Sequence, residues 1–266
     1  MKIHDIPGFP NPLRVRVVLA EKGLLDKVEF IKVDLPAAEH KQPAFLAINP
    51  TGTVPVLELD DGTYISECTA ITEYLDNLDG HPILTGVTPL EKATIHMMQK
   101  RAESELIDAI GIYFHYATAG LGESLLPYKS PEWEGRQRWG QMHREKAEAG
   151  MRYFNEVLKT QPYVAGENFS MADTTVLGGL LFASYAQIPV PESLTALNDW
   201  KARVEGRGSV RMASAAMLLT QSRPLNPDVG SRRGGRRPFV RTGLVRAPVR
   251  YGLRRSLLRR VPRFAG

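Results

Sequence analysis

The sequence contains one cysteine, Cys68, so no disulfide can form within the chain. It also lacks any apolar run of the roughly 18 residues that a membrane-spanning helix requires. After Met1 the chain meets Pro7 and Gly8 before any apolar stretch, which does not fit a secretory signal. These absences predict a protein of a reducing compartment, the cytoplasm, without a membrane partner.

Acidic residues and lysine are nearly missing from the range 222–266. This segment holds 13 arginines, no lysine and one acid, Asp228, for a formal charge of +12. Because the whole chain carries +5, residues 1–221 carry −7. A basic segment can bind nucleic acid or an anionic surface electrostatically. The abrupt change in composition instead favours a disordered appendix or a shifted reading frame, so nucleic acid is not the expected partner.

The first 80 residues alternate between strand and helix patterns. Strands are predicted at 2–4, 28–33, 54–59 and 63–65, and helices at 13–24, 43–47 and 67–78. Asp60-Asp61-Gly62 is a hairpin turn signal between the last two strands. The order βαβαββα predicts a small mixed sheet covered by helices.

Beyond a linker at 81–87, the patterns are helical only. Thr88-Pro89-Leu90-Glu91 is a capping box with proline at the first helical position, and Ser170-Met171-Ala172-Asp173 is an acidic variant of it. Asp173 is predicted to cap its helix and to take no part in chemistry. Helices are predicted at about 89–117, 132–158, 171–182 and 194–204. The sequence thus predicts an α/β domain over 1–80, the linker, an all-helical domain over 88–221 and a tail over 222–266.

Several short strings occur in a specific order and spacing. They are Arg14-Val15-Arg16, Glu21-Lys22-Gly23-Leu24, Gly52-Thr53-Val54-Pro55-Val56-Leu57, Glu67-Cys68-Thr69-Ala70-Ile71 and the capped helix at Ser170–Asp173. With them the chain resembles the glutathione transferase superfamily over residues 1 to about 220, closest to its fungal and bacterial branch. The resemblance implies a thioredoxin-like domain that binds glutathione, an all-helical second domain, a homodimer, glutathione as co-substrate and no metal.

The resemblance places the cysteinyl part of glutathione against Thr53, Val54 and Pro55. It implies a cis bond before Pro55, which leaves the Val54 N–H and C=O free to pair with the tripeptide as an added strand. A proline that opens a strand cannot donate a ladder hydrogen bond in either isomer. The alternative is an ordinary trans bond at a strand edge.

Both ends of glutathione also have predicted partners. At the start of a helix, the Cys68 N–H can donate to the γ-glutamyl carboxylate, and Glu67 can face the ammonium group. The alternative is a plain helix cap. His40 and Lys41 correspond to the residues that hold the glycyl carboxylate, although a solvated surface pair is an equally open interpretation.

The usual catalytic hydroxyl or thiol of the family is missing. Its position, 12 residues before Glu21, is Phe9, which cannot donate a hydrogen bond. The resembled branch uses a water held by a histidine and a serine, and His115 matches that histidine. The serine position is Gly111, four residues earlier on the same helix face. Candidate catalytic groups are therefore His115, as a base acting through water, and the Asn11 amide.

Aromatic side chains are the predicted walls of the electrophile pocket. The principal candidates are Phe9, Phe114 and Tyr116, joined by Tyr128 and Trp133; Tyr113 and Tyr116 are further candidate hydroxyl donors. Packing roles are the alternative for these aromatics, and a buried structural histidine is the alternative for His115. The leading function is conjugation of glutathione to small hydrophobic electrophiles in detoxification or stress. The competing functions are a catalytically weak glutathione-binding carrier or regulator, and thiol–disulfide exchange through Cys68.

Overall fold

Four strands form the predicted mixed sheet in the computed structural model, which describes residues 1–129 and 135–221. The strands are β1 (Lys2–Asp5), β2 (Glu29–Lys32), β3 (Val56–Glu58) and β4 (Tyr64–Ser66). Their order is β2-β1-β3-β4, with β1 parallel to β2 and antiparallel to β3, and β3 antiparallel to β4. This is the expected thioredoxin-like arrangement. The arginine-rich tail and Trp133 lie outside the described residues.

Helices occupy most of the remaining described chain. They are α1 (Pro10–Glu21), α2 (Pro43–Leu46), α3 (Cys68–Asn77), α4 (Pro89–Ala102), α5 (Asp108–Ala117), α6 (Arg136–Leu158), α7 (Met171–Tyr185), α8 (Thr195–Glu205) and α9 (Gly208–Gln221). Short 3₁₀ helices cover Glu39–Lys41 and Glu123–Tyr128. The α/β part followed by an all-helical part confirms the predicted fold class. No helix in the described ranges is both long and apolar enough to cross a membrane.

Helix α1 is anchored to the sheet by a buried ion pair. Arg16 donates to both carboxylate oxygens of Asp5, the last residue of β1, over 2.7 and 2.9 Å. Both side chains are almost fully buried, and the guanidinium lies 3.8 Å from the centre of the Phe30 ring on β2. Such a bidentate pair fixes the orientation of α1 as well as its position. The start of α1 is thereby held over the end of the sheet.

The helical part fixes the same end of α1 from the other side. A Cβ atom on Gly178 of α7 would lie 2.9 Å from the Arg14 side chain and 3.1 Å from the Pro10 carbonyl. Only a glycine therefore allows α7 to approach α1 this closely. Helix α7 is itself capped as predicted. The Asp173 side chain accepts from the Ser170 N–H, and the Ser170 side chain accepts from the Ala172 N–H. The two parts pack as one compact unit.

The structure differs from the sequence prediction in its helix boundaries. Helix α1 begins at Pro10 and not at residue 13, because prolines are compatible with a first helical turn. The helix predicted at 89–117 is divided by a π-helical turn at Glu103–Ile107, which the apolar period does not reveal. The helix predicted from 132 is described from Arg136 onward. Sequence reasoning missed α9, which packs on α1.

Candidate active site

A cavity of about 430 Å³ brings most of the predicted site residues together. We call the part formed by His40, Lys41 and 52–54 the N-terminal wall, and the part formed by 111–116 and 121–129 the helical wall. The start of α1 lies between them, and Phe182 and Tyr185 of α7 complete the lining. The predicted residues found there are Phe9, Asn11, His40, Lys41, Thr53, Val54, Phe114, His115, Tyr116 and Tyr128. Pro55, Glu67 and Cys68 do not line it.

The bond between Val54 and Pro55 is cis, as the sequence analysis predicted. Val54 is buried just before β3, and its N–H and C=O form no hydrogen bond with any described residue. A buried backbone pair without partners is uncommon in proteins. Both groups are therefore available to an extended peptide that lies along this wall.

Gly52 and Lys41 shape the base of the N-terminal wall. The Lys41 ammonium donates to the Gly52 carbonyl at 2.7 Å and lies 3.4 Å from the Thr51 carbonyl. Gly52 has φ +58°, and a Cβ atom there would lie 2.8 Å from the His40 carbonyl. Burial lowers the pKa of Lys41. The wall thus requires glycine at position 52 for conformation and for space.

His40 is buried beside Lys41, and its Nδ1 has no hydrogen-bond partner among the described residues. Burial, followed by the positive charge of Lys41 and the proximity of His115, lowers the pKa of His40 to about 4. The ring is therefore neutral at pH 7. An unpaired buried nitrogen favours binding of a polar ligand group at this point.

Glu67 and Cys68 lie at the start of α3. Glu67 has φ 68° and ψ 122°, and its exposed side chain forms no capping hydrogen bond, so a plain helix cap does not explain it. The buried Cys68 thiol donates to the Asn11 carbonyl at 3.5 Å. Burial raises the pKa of Cys68 to about 11. A buried protonated thiol is a poor nucleophile, which argues against thiol–disulfide exchange.

Two prolines leave Asn11 as the main donor at the start of α1. Phe9 is the extended N-cap residue, and its ring stacks on Tyr185 with centroids 6.2 Å apart. Pro10 and Pro12 have no N–H group, and the Leu13 N–H is already bonded to the Phe9 carbonyl. Among the four N–H positions at this helix start, the N–H groups of Phe9 and Asn11 therefore remain without a described partner.

The Asn11 side chain is also oriented as a donor. Its Oδ1 accepts from Arg14 Nη1 at 3.0 Å, so Nδ2 is the amide atom that remains free of described partners. Arg14 donates in turn to Glu103 at 3.2 Å, which ties this residue to the helical part. Sequence spacing alone gives no sign of this orienting contact.

His115 lies near the end of α5 and is exposed to the cavity. The Phe114 ring meets it edge-on at 5.3 Å. Neighbouring protein atoms desolvate the imidazole, and together with the charges of Lys129 and Lys41 they lower its pKa below the usual 6.5. No described residue forms a hydrogen bond or ion pair with it. His115 is therefore a neutral potential base at pH 7 that faces the site.

The other helical-wall positions test the remaining predictions. Gly111 lines the cavity, and a Cβ atom there would lie 3.4 Å from the Phe182 ring, so there is room for a small side chain. Tyr113 is buried away from the cavity beside Arg144, which fits the alternative packing role and not the role of a hydroxyl donor. Sequence reasoning missed Lys129, Phe182 and Tyr185, whose positions depend on tertiary packing. Among the described residues, no cluster of acids, histidines or cysteines could hold a metal ion.

Comparison with known proteins identifies the family of the chain. The family models described as the N-terminal and C-terminal domains of glutathione S-transferase match residues 10–78 and 116–207. The chain is 56% identical over 211 residues to glutathione S-transferase 2 of Saccharomyces cerevisiae, covering 79% of this chain and 88% of that protein.

Solved structures agree as well. The crystal structure of Gtt2 from Saccharomyces cerevisiae superposes with a TM-score of 0.76 and 54% identity, over 80% of this chain and 100% of that one. A glutathione S-transferase domain-containing protein of Marinobacter aquaeolei superposes with a TM-score of 0.74 and 50% identity, over 79% of this chain and 100% of that one. The predicted superfamily and its fungal and bacterial branch are confirmed. The chain therefore belongs to the glutathione S-transferase family, and it is an enzyme of that family.

Proposed function

We propose that the chain conjugates the thiolate of glutathione to small hydrophobic electrophiles. The observation that carries this proposal is one cavity lined by Val54, whose backbone groups have no described partner, by Asn11 and by the neutral imidazole of His115. The tripeptide extends along Thr53, Val54 and Pro55. His40 and Lys41 hold its glycyl carboxylate, and the Cys68 N–H and Glu67 hold its γ-glutamyl end.

The thiol then lies at the start of α1, where free N–H groups and the helix dipole favour an anion. His115 removes the thiol proton through a water molecule, and Asn11 donates to the resulting thiolate. The sulfur forms a bond to the electrophilic carbon, and the leaving group departs with its electron pair. Phe9, Phe114 and Tyr116 enclose the apolar reactant.

Turnover of 1-chloro-2,4-dinitrobenzene with glutathione tests this proposal. The kcat of the wild type is compared with that of the His115→Ala variant. Loss of a general base lowers kcat by about 10²-fold or more. The pKa of His115 is lowered, so the imidazole stays unprotonated below pH 6.5, and wild-type activity falls only as the pH drops through that lower pKa. Unchanged kcat in the variant would remove His115 from the mechanism.

A catalytically weak carrier or regulator is the second candidate function. Phe9 and Gly111 favour it, because each replaces a hydroxyl-bearing residue of the resembled enzymes. Calorimetry with reduced glutathione separates the two: binding without turnover of aryl halides, epoxides and unsaturated aldehydes supports the carrier. If millimolar glutathione gives no heat, both candidates fail.

We also propose a cytoplasmic homodimer that serves detoxification. Exposed apolar side chains support the dimer: Tyr64 on β4 is 42% exposed, Leu90 on α4 77%, and Met97 on α4 48%. Isolated apolar residues on a surface are common, but several together indicate an interface. Light scattering at micromolar concentration tests this assembly, and a monomeric mass contradicts it.

A further inference from the structure

Lys129 is a cation in the cavity that the proposed glutathione site leaves unused. We infer that the electrophile subsite selects apolar or aromatic electrophiles that carry a carboxylate, and that Lys129 binds this carboxylate. The inference rests on the proposed conjugation function and names the substrate class for it.

The position of Lys129 puts its charge on the electrophile side. It directly follows the 3₁₀ helix Glu123–Tyr128, and its backbone N–H bonds to Leu126 at 3.2 Å. A Cβ atom placed on Gly120 would lie 3.6 Å from Lys129 Nζ and 3.7 Å from His115 Nδ1. The ammonium and the proposed base therefore flank the same point of the helical wall.

Lys129 also has no counter-charge within the part of the chain that the structure describes. It is half-buried, and its ammonium forms no ion pair or hydrogen bond with any described residue. No aspartate or glutamate of the described ranges lines the cavity. Lys41 differs, because two backbone carbonyls already accept from it. A partly desolvated cation without a partner favours an incoming anion.

Glutathione does not account for this cation. Its glycyl carboxylate is assigned to His40 and Lys41, and its γ-glutamyl carboxylate to the Cys68 N–H. The surroundings of Lys129 are apolar: Phe114, Tyr116, Leu121 and Leu125 line the same wall. An apolar slot with one cation at its edge fits an aromatic ring bearing a carboxylate.

A pair of aryl chlorides tests the inference directly. Glutathione displaces chloride from 4-chloro-3-nitrobenzoate and from its methyl ester. The ester lacks the negative charge and activates the ring more strongly, but this intrinsic difference cancels when the same pair is compared between variants. The measured quantity is the ratio of kcat/KM for the acid to kcat/KM for the ester. We expect Lys129→Met to lower this ratio by about tenfold, the value of one charge-assisted hydrogen bond. Lys129→Arg keeps the charge and should retain the ratio.

Lys27→Met is the matched control for loss of one positive charge. Lys27 is exposed in the turn after α1, at the end of that helix opposite the cavity. We expect the wild-type ratio in this variant. An equal fall in kcat/KM for the acid and the ester in Lys129→Met would overturn the inference, and so would a rise in KM for glutathione alone. In either case Lys129 would act on glutathione.

The conjugates provide a readout that does not depend on turnover. Calorimetry compares S-(4-carboxy-2-nitrophenyl)glutathione with its aryl methyl ester in the wild type and Lys129→Met. The inference is supported if Lys129→Met binds the acid conjugate about tenfold more weakly than the wild type does, while its affinity for the ester conjugate is unchanged. Equal affinities of the wild type for the acid and ester conjugates contradict it. If neither of these chlorides nor 1-chloro-2,4-dinitrobenzene is turned over, conjugation as the function fails, while the conjugate affinities still decide the role of Lys129.

Discussion

The two walls of the cavity solve different recognition problems. The N-terminal wall offers backbone groups held by the cis bond at Pro55 and by Gly52, and its Lys41 side chain is already bonded to carbonyls. The helical wall offers side chains, His115 and Lys129, that have no partners among the described residues. A backbone surface suits one extended peptide, whereas side chains can be exchanged without disturbing the sheet. Under the proposed function, glutathione recognition and electrophile selection are therefore physically separable.

Among the changes that separate the two walls, removing the donor between them should have the largest effect. We predict that Asn11→Leu lowers kcat by about 10- to 100-fold, the value of a hydrogen bond to a charged group, and raises the pKa of the bound thiol by about one unit or more. Ultraviolet titration of the thiolate at saturating glutathione measures the pKa, so modest loss of stability does not interfere.

Asn11→Asp sharpens this experiment. The substituted carboxylate would keep an oxygen acceptor for Arg14 but present a negative charge in place of the free amide. We expect an even higher thiol pKa in this variant because like charges repel. If both variants titrate like the wild type, the side chain of Asn11 does not contact the thiolate, and His115 becomes the main candidate.

Next in size is a change that breaks the N-terminal wall alone. Gly52→Ala places a Cβ atom 2.8 Å from the His40 carbonyl and 3.0 Å from the Lys41 ammonium, at a φ that disfavours alanine. We predict weaker glutathione binding by about tenfold and a loss of about 1–3 kcal/mol in unfolding free energy. Calorimetry and urea unfolding measure the two effects.

Gly62→Ala is the matched control for backbone strain. Gly62 also has positive φ, at +85°, but a Cβ atom there meets nothing within 4 Å. This variant should lose stability through strain while binding glutathione like the wild type. If it weakens binding as much as Gly52→Ala, the close contacts at Gly52 are not the cause.

Sequence patterns predicted the N-terminal wall well because its features are local. Residues 52–54 lead directly into β3 through Pro55, so the glycine, proline and strand signals fall within a few residues. The helical wall depends on long-range packing. The π-helical turn at Glu103–Ile107 lies just before α5, and Phe182 approaches from α7, which no local spacing reveals.

Side-chain availability was the least predictable property. His115 and Asn11 were recognised by position, yet their free atoms depend on partners elsewhere, such as the contact of Asn11 with Arg14. Lys129 carried no motif at all. Tyr113 takes the packing role because its neighbours on α5 face the cavity while its own side chain is buried against α6. Which face of α5 is buried is settled by tertiary contacts.

A hydroxyl restored to the helical wall should give a smaller effect. Gly111→Ser supplies the group that the resembled branch places four residues before its histidine, where a Cβ atom meets only the Phe182 ring at 3.4–3.9 Å. We predict that kcat increases by about two- to tenfold, the value of one ordinary hydrogen bond to the proposed water. Gly111→Ala adds the same Cβ without the hydroxyl and should not increase kcat. Equal rates in the two variants would show that a hydroxyl here does not support catalysis.

The smallest effect is expected at Cys68, where the proposed contact with glutathione is made by the backbone. Cys68→Ser exchanges a weak thiol donor for a hydroxyl while the N–H that faces the γ-glutamyl carboxylate stays in place. We predict that KM for glutathione falls by about twofold and that kcat is unchanged, since the buried thiol with its raised pKa takes no part in the reaction. Cys68→Ala, which has neither donor, should raise KM slightly. Loss of turnover in both variants would instead show that the Cys68 thiol is a reactant. The assignment of the catalytic base to His115 on the helical wall would then be wrong.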